Sequence, residues 1–334
     1  MRYYELILTM QDSPSPDNEK HGLCTGVPSK ATGKTGTVKK WSSLNKDGSH
    51  NPNALQIDFD IPISGFDTPM NANSIIKLRG ITAEDRSDSI TWAGAKVELY
   101  VGMSKGMPLV DPEQNGLVLS GQVYQAYGNW QGEQQSIDII VMPSASASNN
   151  YTVDWKAGTP IETMITQVLN RTQPNVTVKN MLTKSLVLSR HDAGVYYTLE
   201  TFARYVKAVS RSINTDPNYN GVSLFKKRDV IVISDFTADS AAKKIKFIDI
   251  IGQPTWINVG AIQFKAVMRA DLHMDDVINL PKSALKTTTK SMQGFKKDDV
   301  NFKGDFKIYS VRHVGSNRQA TADSWVTVFE ALVT

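Results

Sequence analysis

The chain has 334 residues, 40% hydrophobic and 21% charged, a balance that excludes wholesale disorder and fibrous repeats, while the length suggests two or three domains. With 37 basic and 33 acidic residues the formal charge is +4, too small and dispersed an excess to mark a nucleic-acid binder, which concentrates basic residues on one face. The only cysteine is Cys24, which excludes an intrachain disulfide and a Cys-rich metal site.

The N-terminus MRYYELILTMQDSPSP has too short an apolar run for a signal core and lacks a small-residue cleavage site. No run approaches the ~18 apolar residues of a membrane helix, so the expectation is a chain made and folded in a cytoplasm. The Asn-x-Ser/Thr triplets at Asn150, Asn170 and Asn175 are then chance. Tyr3–Met10 predicts a first strand, and residues 11–52 read as a long polar insertion rich in Gly, Ser and Lys. Within it, Gly33, Lys34 and Thr35 imitate the end of a phosphate-binding loop, but Pro28 stands where the first glycine is required. Proline lacks the N–H and fixes φ, so the motif reads as a surface loop.

Strand signals then follow densely. ALQIDFDIPI alternates Leu55, Ile57, Phe59 and Ile61 with polar partners, and SIIKLRGI, AKVELYVGM, GLVLSGQVYQAYG and QSIDIIVMP continue the series. Period-two patterning marks strands with one packed face, so residues 1–148 read as a β domain. Ser144–Asn150 is a candidate linker. Beyond it Thr159, Pro160 and Glu162 predict an N-cap, a first-turn proline and a capping-box acid, with Ile161, Ile165, Val168 and Leu169 as one helical face. A second helix is predicted from Thr198 to Ile213, with Leu199, Phe202, Val206 and Val209 on its apolar face. Lys184–Ser189 predicts a short strand between the helices and Gly221–Asp235 a hairpin. Residues 149–240 thus read as a small α+β domain.

From Lys243 the chain returns to strands: KKIKFIDIIG, AIQFKAVM, DVINLP, a basic insertion over 282–299, then GDFKIYSVRHVGS and DSWVTVFEALV. The last two predict one hairpin whose faces differ, carrying Val311 and His313 on one arm and Trp325, Thr327 and Phe329 on the other. Residues 241–334 read as a second β domain. Gly121 and Gly304 each open a long final hairpin, a shared order that points to internal duplication of the two β-rich ends.

Chemistry-bearing groups are sparse. Asp275 and Asp276, or Asp298 and Asp299, are neighbours in sequence and point apart on a strand, which suits a solvated charge run better than a glycosidase pair. DLHMDD would place Asp271, His273 and Asp275 on one strand face, with Asp276 beside them. That pattern fits a metal or, more simply, a polar sheet row. Cys24 lies in the polar insertion, and His21 and His191 flank no nucleophile. Lys30, Lys34, Lys39 and Lys40, and Lys282, Lys286, Lys290, Lys296 and Lys297, lack interleaved aromatics for base stacking and read as solvated loops. Trp130 and Trp155 are the aromatics that a carbohydrate-binding surface would use; burial is the simpler reading. The expectation is no catalytic residue, no cofactor and no metal.

Asp249–Pro281 followed by GDFKIYSVRHVGSNRQATADSWVTVFEAL resembles the baseplate hub proteins of contractile-tailed bacteriophages, which cap the tail tube above the spike. TPIETMITQVLNRTQPNVTV and GVYYTLETFARYVKAVSRS are similar to that family's inserted domain. The likeness runs from about Ser74 to the C-terminus, and Pro14–Pro52 has no counterpart. The resemblance implies a β-rich α+β fold in which two tube-like antiparallel β-barrel or sandwich domains flank the small α+β domain. It also implies a homotrimer whose six tube-like domains imitate a hexameric ring. Its partners would be a tail-tube or adaptor protein above, a spike below and a tape measure protein, with DNA passing through the channel unbound and the protein located in the virion. The alternatives are a tail-associated cell-wall hydrolase or a carbohydrate-binding module.

Overall fold

The computed structural model describes residues 2–10, 36, 38–68, 73–103, 111–142, 150–174, 176–217, 219–238, 240–281, 302 and 304–333. The triplet at Gly33, together with His21, Cys24, Asn175, Asp298 and Asp299, lies outside the described residues. So do residues 144–149 of the expected linker, Lys30 and Lys34 of the first insertion, and all five lysines of the second.

The first segment supplies strands β1 (Arg2–Thr9), β2 (Val38–Ser42), β3 (Gln56–Ile63), β4 (Ser74–Arg79), β5 (Lys96–Met103), β6 (Gly116–Gln131) and β7 (Gln134–Met142), and a short helix α1 (Ala83–Asp88). Every second side chain is buried: Tyr4, Leu6 and Leu8 on β1, Ile57, Phe59 and Ile61 on β3, Val97, Leu99 and Val101 on β5. β2 falls inside the expected 11–52 insertion, which is therefore shorter than the sequence implied. Tertiary packing makes it a strand, because Trp41 leans on Trp92 with ring centroids 5.7 Å apart. Helix α1 has no periodic signal and rests on its cap, Thr82, which accepts the Asp85 N–H.

The middle segment holds β8 (Tyr151–Trp155), α2 (Ile161–Thr172), β9 (Thr177–Asn180), β10 (Asp192–Tyr196), α3 (Leu199–Ile213), β11 (Ser223–Lys227) and β12 (Val230–Ser234). α3 starts where expected, with a capping box between Thr198 and Thr201. For α2 the expected box is corrected: Pro160 is the N-cap and no side chain caps it. Glu162 instead accepts from Ser185 Oγ at 2.9 Å, and the Thr159 carbonyl accepts the Trp155 indole N–H at 2.7 Å. Lys184–Ser189 is no strand; it makes one isolated bridge, Val187 to Pro160. The strands that do form, β8, β9 and β10, are four or five residues long, too short for a clear period.

The last segment holds β13 (Lys243–Lys244), β14 (Ile250–Asn258), β15 (Ala261–Val267), β16 (Val277–Asn279), β17 (Asp305–Ser316) and β18 (Trp325–Val333). The strand expected over 243–252 is broken by a 3-10 turn at Phe247–Asp249. That turn tucks the Asp249 carboxylate against Arg269 at 3.3 Å and Gln114 at 3.0 Å.

Among the described residues thirteen strands form one sheet in the order β14-β15-β18-β17-β3-β4-β7-β6-β5-β1-β2, with β16 on the start of β17 and β13 on β16. Pairing is antiparallel except at β13–β16 and, in the small sheet of the middle segment, β12–β9. The path does not return on itself: among the described residues the sheet is open and curled, ending in β14 and β2, and the expected barrel or sandwich domains include no closed barrel. The first and last segments share it because β17 pairs with β3 from Val311↔Ile63 to Ser316↔Asp58. The curl brings Trp325 back to the Gly102 carbonyl, 3.0 Å from its indole nitrogen.

The described residues form three apolar cores, and each recruits across the expected boundaries. Met268, Ala270 and Trp325 join the first. Phe66, from the β3–β4 connection, enters the second among Tyr151, Phe202 and Val206. Phe225 and Val232 of the middle hairpin enter the third. Gly121 lies within β6, one residue before the β6–β7 hairpin ladder begins at Gln122↔Met142, and a Cβ there would lie 2.3 Å from the Met142 carbonyl.

The β3–β17 seam depends on Gly315, whose missing Cβ makes room for the Phe59 ring: a Cβ built there would lie 2.1 Å from Phe59 Cζ. Gly315→Ala is expected to lower stability by about 1–3 kcal/mol through overpacking, with Phe59→Leu restoring part of the loss in the double variant. Equal thermal melts for wild type and Gly315→Ala would show that the seam is not packed this way.

Candidate functional site: a charge-paired sheet face

The side chains that alternate away from the first and third cores make the sheet's outer face. Strand by strand, register places Glu5 and Lys40, Lys96 and Glu98, Asp138, Lys77 and Arg79, Asp58 and Asp60, then Arg312, Glu330, Gln263 and Lys265 on that side. The charges pair across and along strands. Lys40 Nζ is 2.8 Å from Glu5, Lys96 2.7 Å from Glu98, and Arg79 3.1 Å from Asp58. Lys77 Nζ lies 3.2 Å from Asp138, an ion pair rather than an aligned hydrogen bond. Arg312 grips Asp60 with two parallel bonds of 2.7 and 2.5 Å, the bidentate fork that matches a carboxylate. Lys265 reaches Asp323 at 3.0 Å, and Gln263 donates to Glu330 at 3.3 Å.

Uncharged neighbours fix the acids further: Ser316 Oγ donates to Asp58 at 2.5 Å and Asn129 to Asp138 at 2.7 Å. Sequence order hides this arrangement, because Arg312 and Asp60 are 252 positions apart. The available signal was period-two placement of charges, two acids in QIDFD, two bases in IIKLR and one of each in KVELY.

A second charged group joins the middle and last segments. Asp276 receives Lys227 and Lys243, each at 2.9 Å, and the His273 backbone N–H at 2.9 Å. Asp275, held at φ +68°, accepts from Ser234 at 2.8 Å and lies 3.3 Å from Lys307. Lys307 also donates to the carbonyls of Phe236 and Ala238. Burial alone would raise the Asp276 carboxyl, but hydrogen bonds from His273, Lys243 and Lys227 outweigh it and hold the group well below the usual carboxylate range. Beside this cluster His273 and His313 line a cavity of about 60 Å³ with Ile63, Leu117, Leu272 and Met274.

No protein-family model matches the chain, and no curated protein matches it by sequence. Solved structures do match in fold. The E. coli c3393 protein, a component of the type VI secretion system with structural similarity to the T4 bacteriophage tail proteins gp27 and gp5, aligns at TM-score 0.50 and 10% identity over 84% of this chain and 73% of its own. A tail protein from Neisseria meningitidis MC58 aligns at TM-score 0.49 and 10% identity, covering 84% and 96%. A 43 kDa tail protein of prophage MuSo2 from Shewanella oneidensis aligns at 0.46 and 7%, again covering 84% and 96%. The chain shares its fold with the secretion-system component. The resemblance to baseplate hub proteins drawn from the sequence is borne out at that level, the level of fold.

In this fold the sequence-predicted site residues go to separate tasks. DLHMDD is a turn rather than a strand, so Asp271, His273 and Asp275 do not share a face. Asp271 forks with Arg269 at 2.7 and 2.8 Å, and Asp275 and Asp276 are taken by the lysines above. No group of three or more His, Cys, Asp or Glu suited to a metal occurs among the described residues. His191 pairs with Asp154 at 2.7 Å on the surface. Trp155 is buried, whereas Trp130 is 65% exposed under the Arg86 guanidinium, 4.7 Å from its ring centre. Lys39 and Lys40 are ion-paired to Asp85 and Glu5. Among the described residues no helix is long and apolar enough to cross a membrane.

His313 was expected on an alternating hairpin face, and it is buried there, with Nδ1 3.0 Å from Thr327 Oγ1. Burial, with a smaller push from His273, lowers its pKa from 6.5 to about 3. A depressed histidine pKa means that the unfolded chain binds a proton that the native state refuses. This contribution is therefore fully present above pH 6.5 and is lost as the pH falls towards 3, on the order of a few kcal/mol in all. Denaturant unfolding at stepped pH is expected to show stability declining through this window. His313→Gln, which keeps a partner for Thr327, should flatten the decline; an unchanged slope would remove His313 as its source.

Proposed function

We propose that the protein is a structural tail component: the trimeric central hub of a phage baseplate or a related contractile device, joining tail tube to spike around a DNA channel. The observation that carries this reading is the outer face, where long antiparallel strands present matched charges over most of one continuous sheet. Such a face suits a channel wall, because it is hydrated yet offers a passing polyanion no unneutralised row of cations.

The fold shared with the E. coli secretion-system component supports the same reading, since that protein is itself described as similar to phage tail proteins. Three modules follow, at 1–148, 149–240 and 241–334, with the two β-rich ones acting as quasi-equivalent units so that three chains imitate six. In both, a long hairpin is central: β6–β7 flanked by β5 and β4, and β17–β18 flanked by β15 and by β16 and β3. The terminal strands β2 and β14 lack a second neighbour among the described residues, and edges of this kind are where subunits of a ring join. The protein belongs in the virion on this reading and does no chemistry.

Mass measurement at rising protein concentration, combined with electron-microscope images, tests the proposal. The expected result is a mass near three times 36.9 kDa and closed rings with an open centre. A monomer at every concentration, alone and with tube or spike protein, would overturn it, and so would a closed ring of another number.

A further inference from the structure

The strip from β17 through β3 and β4 to β7 pairs each of its three solvent-reaching cations with an acid on the same face: Arg312 with Asp60, Arg79 with Asp58 and Lys77 with Asp138. Stability is a weak reason for these pairs, since exposed ion pairs contribute about 0–1 kcal/mol each. The cation side chains are 56, 36 and 34% exposed, and their acids, at 42, 25 and 13%, sit deeper. Asp58 and Asp138 are also hydrogen-bonded by cross-strand neighbours on the same face, Ser316 and Asn129. Carboxylates so fixed cannot swing away to let a phosphate take their place. A strip of acids alone would set like charges opposite one another across strands, and a strip of bases alone would do the same and also retain nucleic acid.

We propose that Asp58, Asp60 and Asp138 are masking residues, which cancel Lys77, Arg79 and Arg312 so that a phosphodiester polyanion such as duplex DNA crosses this face without being held. The purpose rests on the channel reading above, whereas the masking itself rests only on the pairs. Each acid removed frees one cation to neutralise a phosphate and release its counterion. Three freed cations add about 0.9 × 3, or about 2.7, to the steepness of the logarithmic salt dependence of binding. Between 50 and 200 mM salt that is an extra loss of affinity of about 40-fold.

Fluorescence anisotropy with a labelled 30-base-pair duplex (on the order of three turns of B-DNA, enough to span several strands) provides the test across that salt range. It compares wild type, D58N/D60N/D138N, and a control carrying D47N/D88N/D154N, which makes the same charge change at three exposed positions elsewhere. The masking variant is expected to bind at least tenfold tighter than wild type at 50 mM salt, with the steeper slope. Adding K77Q/R79Q/R312Q should return it to the wild-type curve. Equal curves for the masking variant and wild type would overturn the proposal, and so would a control that gains as much. Melting curves establish that each variant is folded; should the triple variant not fold, Asp60→Asn alone must steepen the slope by about 0.9, and no change would count against masking. Failure to form rings together with the expected binding gain would remove the channel reading and leave masking intact.

Discussion

The structure depends on the backbone seam between β3 and β17. Six residue pairs, from Val311↔Ile63 to Ser316↔Asp58, join strands about 250 positions apart and turn two β-rich ends of the chain into one sheet. Closing so long a loop costs conformational entropy that only a well-packed seam offsets. The packing is visible at Gly315, where the Phe59 ring occupies the space of a side chain, and at Trp325, which meets Phe59 edge-on with centroids 5.3 Å apart. Arg2 adds a polar tie, donating to the carbonyls of Ser316 and Gln319.

The seam also creates the functional face. Arg312 meets Asp60 only because β17 lies beside β3, and the pair continues a row that β3, β4 and β7 build among themselves. Antiparallel register places the charges opposite or diagonal to one another, the distances at which cross-strand pairs interact. One backbone arrangement therefore yields an apolar core on one side of the sheet and a neutralised polar surface on the other.

The middle segment is attached differently. Phe66 enters its core from the β3–β4 connection, while Phe225 and Val232 leave it for the third core. Lys227, Ser234 and the carbonyls of Phe236 and Ala238 meet Asp275, Asp276 and Lys307 at the charged junction. Removing one partner of a buried ion pair is costly because it strands the other charge. Among the described residues, the acids that invited a catalytic or metal-binding reading, Asp271, Asp275 and Asp276, are each engaged by cations.

By itself the sequence determined the β-rich class, the positions of most long strands and of helices α2 and α3, and the inward set such as Tyr4, Leu6, Ile57, Phe59, Phe202 and Phe329. Period two and period 3.6 are local properties, set by which way consecutive side chains point. Likewise Pro28 ruled out a phosphate loop on local grounds. Only the tertiary structure decided that the two β ends share a sheet, that Val38–Ser42 is a strand and Lys184–Ser189 is not, and that DLHMDD is a turn. It alone paired Arg312 with Asp60. Those outcomes rest on contacts between residues far apart in the chain, whose energies depend on what each side chain meets in space and leave no periodic trace in the order of residues.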